Sequence, residues 1–176
     1  MRVVKPIISL LLSAAMMLCL SSTLWAESGL AHLRGTTESS KLSGQVTFQD
    51  TAEGLKISVV VSGVSPGVHA IHIHEFGDCG DTGKAAGSHY NPENVPHGLF
   101  TKDGPRHAHV GDMGNLDIGA DGQGKTDRVL PGVSLSSGRY NVAGRSVIVH
   151  EKEDDFGQPT GNAGGRIGCG EILLTS

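Results

Sequence analysis

The chain has 176 residues, with 14 Lys and Arg against 18 Asp and Glu, a net charge of −4 and nine histidines. A mildly acidic chain with no basic stripe lacks the electrostatic footprint of a nucleic-acid binder. Glycine is abundant at 26 residues and long helical patterns are absent.

The chain opens with a basic stretch, Arg2 and Lys5, followed by an apolar run from Ile7 to Leu20 and then Ser21-Ser-Thr-Leu-Trp-Ala26 before the acidic Glu27. This is the pattern of a secretory signal peptide, residues 1–26, cleaved after Ala26. Leu24 is bulkier than the small residue usual at that position. The apolar run is shorter than the ~20 residues of a membrane span, which argues against a retained anchor. Met16-Met-Leu18 before Cys19 does not supply the small residues of a lipoprotein signal. Removing 26 of the 176 residues leaves a mature chain, 27–176, of 150 residues with a net charge of −6. Such a length suits one domain that buries about 70% of its unfolded surface. Cys19 leaves with the leader. Cys79 and Cys169 remain, an even pair in an exported chain, and are expected to form a disulfide.

Short alternating or β-branched runs then recur. They are Gln45–Phe48, Leu55–Val61, His69–His74, Asn115–Ile118 and Ser146–His150, with Ile172–Leu174 closing the last strand. Turn residues separate them, among them Gly54, Ser65-Pro-Gly67, Asp121-Gly122 and Pro131-Gly132. Many short strands with glycine-rich turns predict an all-β antiparallel sandwich or barrel. Two long segments break the rhythm, Phe76 to about Met113 and Glu151 to Cys169. Loops of that length are uncommon unless they carry function.

The run His69-Ala-Ile-His72-Ile-His74 carries the clearest chemistry. Alternate side chains of a strand share a face, so His72 and His74 project together and His69 faces the other way. His89, His97, His107, His109, Asp112 and His150 follow. That is too many donors for one tetrahedral site and about right for two adjacent ones. Imidazoles suit copper and zinc, and a carboxylate is a usual additional zinc ligand.

Five blocks in order then carry a resemblance: Gly67–Cys79, Gly87-Ser-His-Tyr-Asn-Pro92, His109-Val-Gly-Asp-Met-Gly-Asn115, Val149–Asp155 and Gly161-Asn-Ala-Gly-Gly-Arg-Ile-Gly-Cys169. Together they resemble the copper–zinc superoxide dismutases, and they span most of the mature chain. The resemblance implies an eight-stranded antiparallel Greek-key barrel, an immunoglobulin-like sandwich with two long functional loops. It implies copper, cycling between Cu(I) and Cu(II), on His72, His74, His89 and His150. It implies Zn(II) on His89, His97, His109 and Asp112, with His89 bridging. His107 competes with His109 for one zinc position, and the family's H-x-G-D spacing to Asp112 favours His109. Asp154 is implied as the link between a copper histidine and a zinc histidine, and Arg166 as the catalytic cation that draws in the anion. Thr160 matches a threonine that narrows the channel mouth. His69 takes a supporting role beside the copper, and His32 reads as a surface histidine.

The implied activity is dismutation of superoxide to dioxygen and hydrogen peroxide, with His89 carrying a proton between half-reactions. A protein of this kind protects the envelope of the cell that exports it. One departure bears on the branch of the family. Residues 155–160, Asp-Phe-Gly-Gln-Pro-Thr, replace a longer loop whose charges steer superoxide in eukaryotic members. Lys84, Lys102, Lys125 and Lys152 are the candidate replacements. This loop and the 80–86 segment resemble the bacterial exported members, which points to the periplasm, with secretion to the medium as the alternative. The expected partner is the superoxide anion, with no nucleic acid and no membrane in the mature form. Monomers and homodimers both occur in the family. The rival from another class is a non-catalytic metal carrier on the same fold, because fold alone does not secure function. A carrier needs no guiding arginine and gains from exposed thiolates, whereas Arg166 is present and the two mature cysteines look paired.

Overall fold

The structure is a computed structural model that describes residues 26–175. The expected signal peptide and Cys19 therefore lie outside the described residues, apart from Ala26. Eight strands set the frame: β1 (Ser28–Gly35), β2 (Ser43–Thr51), β3 (Gly54–Ser62), β4 (Gly67–His74), β5 (Asp112–Ile118), β6 (Gly124–Leu130), β9 (Ser146–His150) and β10 (Arg166–Glu171). A short β7 (Val133–Ser134) and β8 (Tyr140–Asn141) pair in the 131–145 connection, and β11 (Leu173–Thr175) ends the chain.

Neighbours in the main sheet run β10-β9-β4-β5-β6-β3-β2-β1-β11, and a further β1–β10 pairing closes it into a barrel. β10 and β11 are one stave interrupted at Ile172, and both pair with β1, which gives the expected eight staves. The pairing is antiparallel throughout this sheet, and β3 is followed by β4 at a position three strands away, with β5 and β6 between them, in Greek-key fashion.

The core follows from period-2 patterning. In β2, Val46 and Phe48 point inward, and in β3 so do Leu55, Ile57, Val59 and Val61. Burial of these branched side chains is the main stabilising term, at roughly 1.5–3 kcal/mol each. β4 and β9 differ: almost every residue is buried, because loops cover their outer face. Those covered strands carry His69, His72, His74 and His150.

Three staves escaped the sequence pattern, and each has a physical reason. β1 carries two glycines and an exposed His32 among its buried Ala31 and Leu33. β6 reads Gly-Lys-Thr-Asp-Arg-Val-Leu and buries only Leu130, so it has almost no apolar alternation. β10 is glycine-rich and begins at Arg166, so the second loop stops at Gly165 rather than at Cys169. Ile172, expected within the last strand, is the buried interruption of that stave, its N–H bonded to the Arg145 carbonyl.

Cys79 and Cys169 form a disulfide, with 5.7 Å between their Cα atoms. It pins the first long loop to β10 across a separation of 90 residues. A Cys79→Ser, Cys169→Ser double variant is expected to lose about 2–5 kcal/mol of stability. Urea melts of the two proteins check this, and equal midpoints would remove the bridge as a stabilising element.

Candidate metal centre

His72 and His74 leave β4 on one face, and His150 ends the neighbouring β9. The pairing of His72 with Ile148 and of His74 with Ser146 sets these strands side by side. His89 arrives from the first loop, anchored by an isolated bridge to His74. In this way His72, His74, His89 and His150 bring one donor atom each to within 4.8 Å of one another, all buried. His74 Nε2 lies 3.3 Å from His150 Nε2. Two rigid strands supply three of the four donors.

A second group of His89, His97, His109 and Asp112 converges as closely, with its donor atoms within 4.8 Å of one another. Here the donors come from the loop and from the first residue of β5. His89 Nδ1 is 2.8 Å from Asp112 Oδ1, and His109 Nδ1 is 3.1 Å from the same oxygen. The other carboxylate oxygen of Asp112 accepts the N–H groups of Gly98 and His109. His89 belongs to both groups. Its Nδ1 faces Asp112, which leaves Nε2, on the opposite side of the ring, for the first group.

The residues fit metal ions on an observation independent of motif. Buried polar groups are almost always hydrogen-bonded. Yet the Nδ1 atoms of His72, His97 and His150 are buried without a hydrogen-bond partner. His97 Nδ1 lies 2.8 Å from Asp112 Oδ2, close enough for contact but out of line for a hydrogen bond. A cation between them resolves both facts for His97, and a cation in the first group gives the buried His72 Nδ1 the partner it lacks.

Asp154 stands behind both groups. Its Oδ2 accepts from His72 Nε2 at 2.9 Å, and its Oδ1 accepts from His97 Nε2 at 2.9 Å. The remaining ring nitrogens of one histidine from each group thus share one carboxylate, which fixes their tautomers. Asp154 is itself held by Asn115, whose side-chain amide bonds both the N–H and the carbonyl of Asp154. Gly161 lets this happen: its φ of +75° and its lack of a Cβ admit the Asp154 carboxylate and the His97 ring.

Arg166 is half-buried, and its guanidinium is tied to the first loop. Nη1 donates to the Gly83 carbonyl and Nη2 to the Gly87 carbonyl, each at 2.6 Å. The Gly87 carbonyl also accepts from His74 Nδ1. The cation is therefore fixed one carbonyl away from a donor of the first group. Thr160 lines a cavity of about 820 Å³ together with His89 and His109.

Of the other candidates, His69 turns away from both groups as its parity predicts. Its Nδ1 meets the His150 carbonyl and its Nε2 the Ser65 carbonyl, each at 2.9 Å. His107 and His32 are exposed and outside both groups. Asp155 is also exposed. Sequence reasoning missed Asn115 and Gln158. Asn115 stood in a quoted motif without a role. Gln158 stood in a stretch read only for the charges it lacks.

The electrostatics favour neutral imidazoles. Burial pushes the pKa of His89 down to about 4 and that of His150 to about 3, and it lowers His74 as well. His97 goes the other way: burial pulls it down, but the Asp112 and Asp154 carboxylates outweigh this and raise it to about 9. Burial opposes the charge on Asp112 and Asp154, but the surrounding histidines hold both below the usual carboxylate range.

In metal-free protein, a depressed histidine pKa contributes stability above the unfolded value of about 6.5, lost as pH falls toward 4 and 3. His97 contributes below about 6.5 and loses its contribution as pH rises through 9. The metal-free protein is therefore expected to be most stable near neutrality, with its melting temperature falling between pH 6.5 and 4. Thermal melts after chelation at pH 7, 5 and 4 check this. A flat profile would mean that these rings are not held neutral.

A donor set of this kind defines a paired metal centre on an all-β barrel. The sequence profile described as copper/zinc superoxide dismutase matches residues 42–172. The extracellular superoxide dismutase (Cu-Zn) of Caenorhabditis elegans is 41% identical over 139 residues, covering 75% of this chain and 61% of that protein. This chain thus spans about three-fifths of that relative's length. The corresponding Drosophila melanogaster protein is 40% identical over 159 residues, covering 81% of this chain and 83% of that one. The superoxide dismutase (Cu-Zn) of Onchocerca volvulus is 38% identical over 157 residues, covering 82% and 94%. Among solved structures, the crystal structure of the clock protein EA4 matches with a TM-score of 0.76 at 35% identity. It covers 85% of this chain and 96% of that one.

The chain belongs to the copper/zinc superoxide dismutase family. Its two histidine groups fit the copper and zinc, and the superoxide dismutation, of that family's enzymes. The relatives named are animal proteins, so what they share with this chain is the family and not a bacterial branch.

Proposed function

We propose that this chain is an exported superoxide dismutase of the bacterial, periplasmic type. Residues 1–26 are its leader, removed after Ala26, and residues 27–176 are the enzyme. His72, His74, His89 and His150 hold copper. His89, His97, His109 and Asp112 hold zinc. The observation that carries this reading is the single ring of His89 shared between two buried four-donor groups. Export is supported by the names of the Caenorhabditis elegans and Drosophila melanogaster relatives, both called extracellular, and by the one disulfide. The periplasm follows from the short 155–160 loop, and the role that fits it is protection of the cell envelope from superoxide.

When bound, copper supplies the one-electron couple that turns two superoxide anions and two protons into dioxygen and hydrogen peroxide, and zinc supplies fixed charge and order. The chain supplies the rest. Arg166, held by the Gly83 and Gly87 carbonyls, presents a preorganised cation that attracts and orients the incoming anion. His89 is the proton carrier: Nε2 accepts a proton while Nδ1 stays on the Asp112 side, and that proton leaves with the peroxide. The second proton comes from solvent. Thr160 shares a cavity lining with His89, and its proposed role is to narrow the approach to the site. A non-catalytic carrier gives no reason for an arginine immobilised at the donor group.

The test is metal content with superoxide consumption of the purified mature protein, measured beside Arg166→Gln. Copper, zinc and activity together are expected in the parent. Arg166→Gln should keep both metals, turn over more slowly and show a weaker salt dependence. Salt screens with a Debye length of about 8 Å near physiological ionic strength. A lysine should retain more rate than glutamine, since it keeps the charge without the fork. Equal rates and equal salt slopes would make Arg166 a surface charge.

A further inference from the structure

The 155–160 segment lacks the charges of its longer counterparts, and its contacts converge on one residue. The Gln158 side chain grips the backbone of His97 from both sides: its Oε1 accepts the His97 N–H at 3.0 Å, and its Nε2 donates to the His97 carbonyl at 2.9 Å. The ring of Phe156 lies nearly parallel to the His97 ring, 18° apart with centroids separated by 6.4 Å. The same segment is anchored at its start, where the Phe156 N–H bonds Asp154 Oδ1. His97 otherwise sits in a stretch with two prolines and no strand, from Asn91 to Leu99. Nothing in that stretch fixes its backbone through regular pairing.

We infer that Gln158 is a positioning residue for His97, a side-chain amide that stands in for a β-bridge and holds the zinc ligand's backbone in place. The inference rests on the zinc assignment given above. A ligand on an irregular loop keeps its aim only if something outside the loop fixes its backbone. Asp154 fixes the ring at Nε2, and Gln158 fixes the main chain at both polar atoms. The two grips are four residues apart on the same segment, so the ligand is held at ring and backbone by one short piece of chain. Gln158 is largely exposed and lies outside the barrel core, so its removal leaves the barrel packing intact.

Two variants test this, Gln158→Met, which keeps the length and loses both bonds, and Gln158→Glu, which keeps the acceptor and loses the donor. Zinc transfer from the purified holoprotein to a chelator is followed, together with the visible spectrum of protein carrying Co(II) in place of zinc. Outer contacts to metal ligands are commonly worth ten- to hundredfold in affinity. Gln158→Met is expected to release zinc about tenfold faster and to shift the cobalt bands, with Gln158→Glu between it and the parent. A purely structural role would lower the melting temperature and leave the cobalt bands where they were. Unchanged release and unchanged bands in Gln158→Met, beside an Asp112→Ala control that does lose zinc, overturn the inference. If Asp112→Ala also keeps its zinc, the zinc assignment is what fails, and the inference fails with it.

Discussion

The His150→Ala protein is expected to consume superoxide more than ~100-fold more slowly than the parent, to fold, and still to carry zinc. The size follows from removing a donor outright, which exceeds the ten- to hundredfold typical of outer contacts. The separation follows from geometry. His150 belongs to the first group alone. Its backbone carbonyl, which receives His69 Nδ1, survives the change. His72 is a less clean target, because its Nε2 meets Asp154, which also holds His97. Metal analysis and activity on one preparation decide the matter. Near-parental turnover in His150→Ala would sink the copper assignment.

Asp154→Asn gives the second large effect, and it strikes both metals. The asparagine preserves the shape but replaces one acceptor oxygen with an N–H₂ group. One of its two histidine contacts then sets donor against donor, and the tautomer of that ring is no longer enforced. Zinc affinity is expected to fall about ten- to hundredfold, and the copper site to loosen through His72. Asp112→Ala should remove zinc alone. Competitive chelation of each metal from the two variants separates the cases. If Asp154→Asn retains both metals at parental affinity, Asp154 is merely a buried acid in the run from Glu151 to Asp155.

What the sequence made legible depended on how local the signal was. The inward strands β2 and β3 announced themselves because Val46, Phe48 and the 55–61 residues alternate with polar neighbours. β6 was invisible because it buries one side chain out of seven. It is a strand because β3 offers it a ladder of seven residue pairs, a tertiary fact rather than a local one. In the centre, residue type and spacing raised every donor of both groups as a candidate, and strand parity separated His69 from His72. The supporting contacts were harder to read. Asn115, Gln158 and the carbonyls of Gly83 and Gly87 act through ordinary amide groups, and nothing in an amide side chain or a glycine marks which backbone it will meet. His107 and His109 were equal in chemistry and differed in context. Ala108, Val110 and Gly111 carry His109 inward, and His107 is left in water.

The ring closes by pairing Ser28–Leu30 with Leu173–Thr175, and Arg34 and Gly35 with Cys169 and Gly168. The first stave therefore has no second partner until the last residues of the chain exist. A growing polypeptide that has reached His150 holds all seven donors of the two groups but not the barrel. Folding of this molecule cannot be completed from one end during synthesis. Closure waits for contacts of long sequence separation, which slow folding. Shortening the chain by its last ten residues takes away far more than a surface strand, because it removes Cys169 and with it the disulfide, and strips β1 and β9 of the partner that joins them.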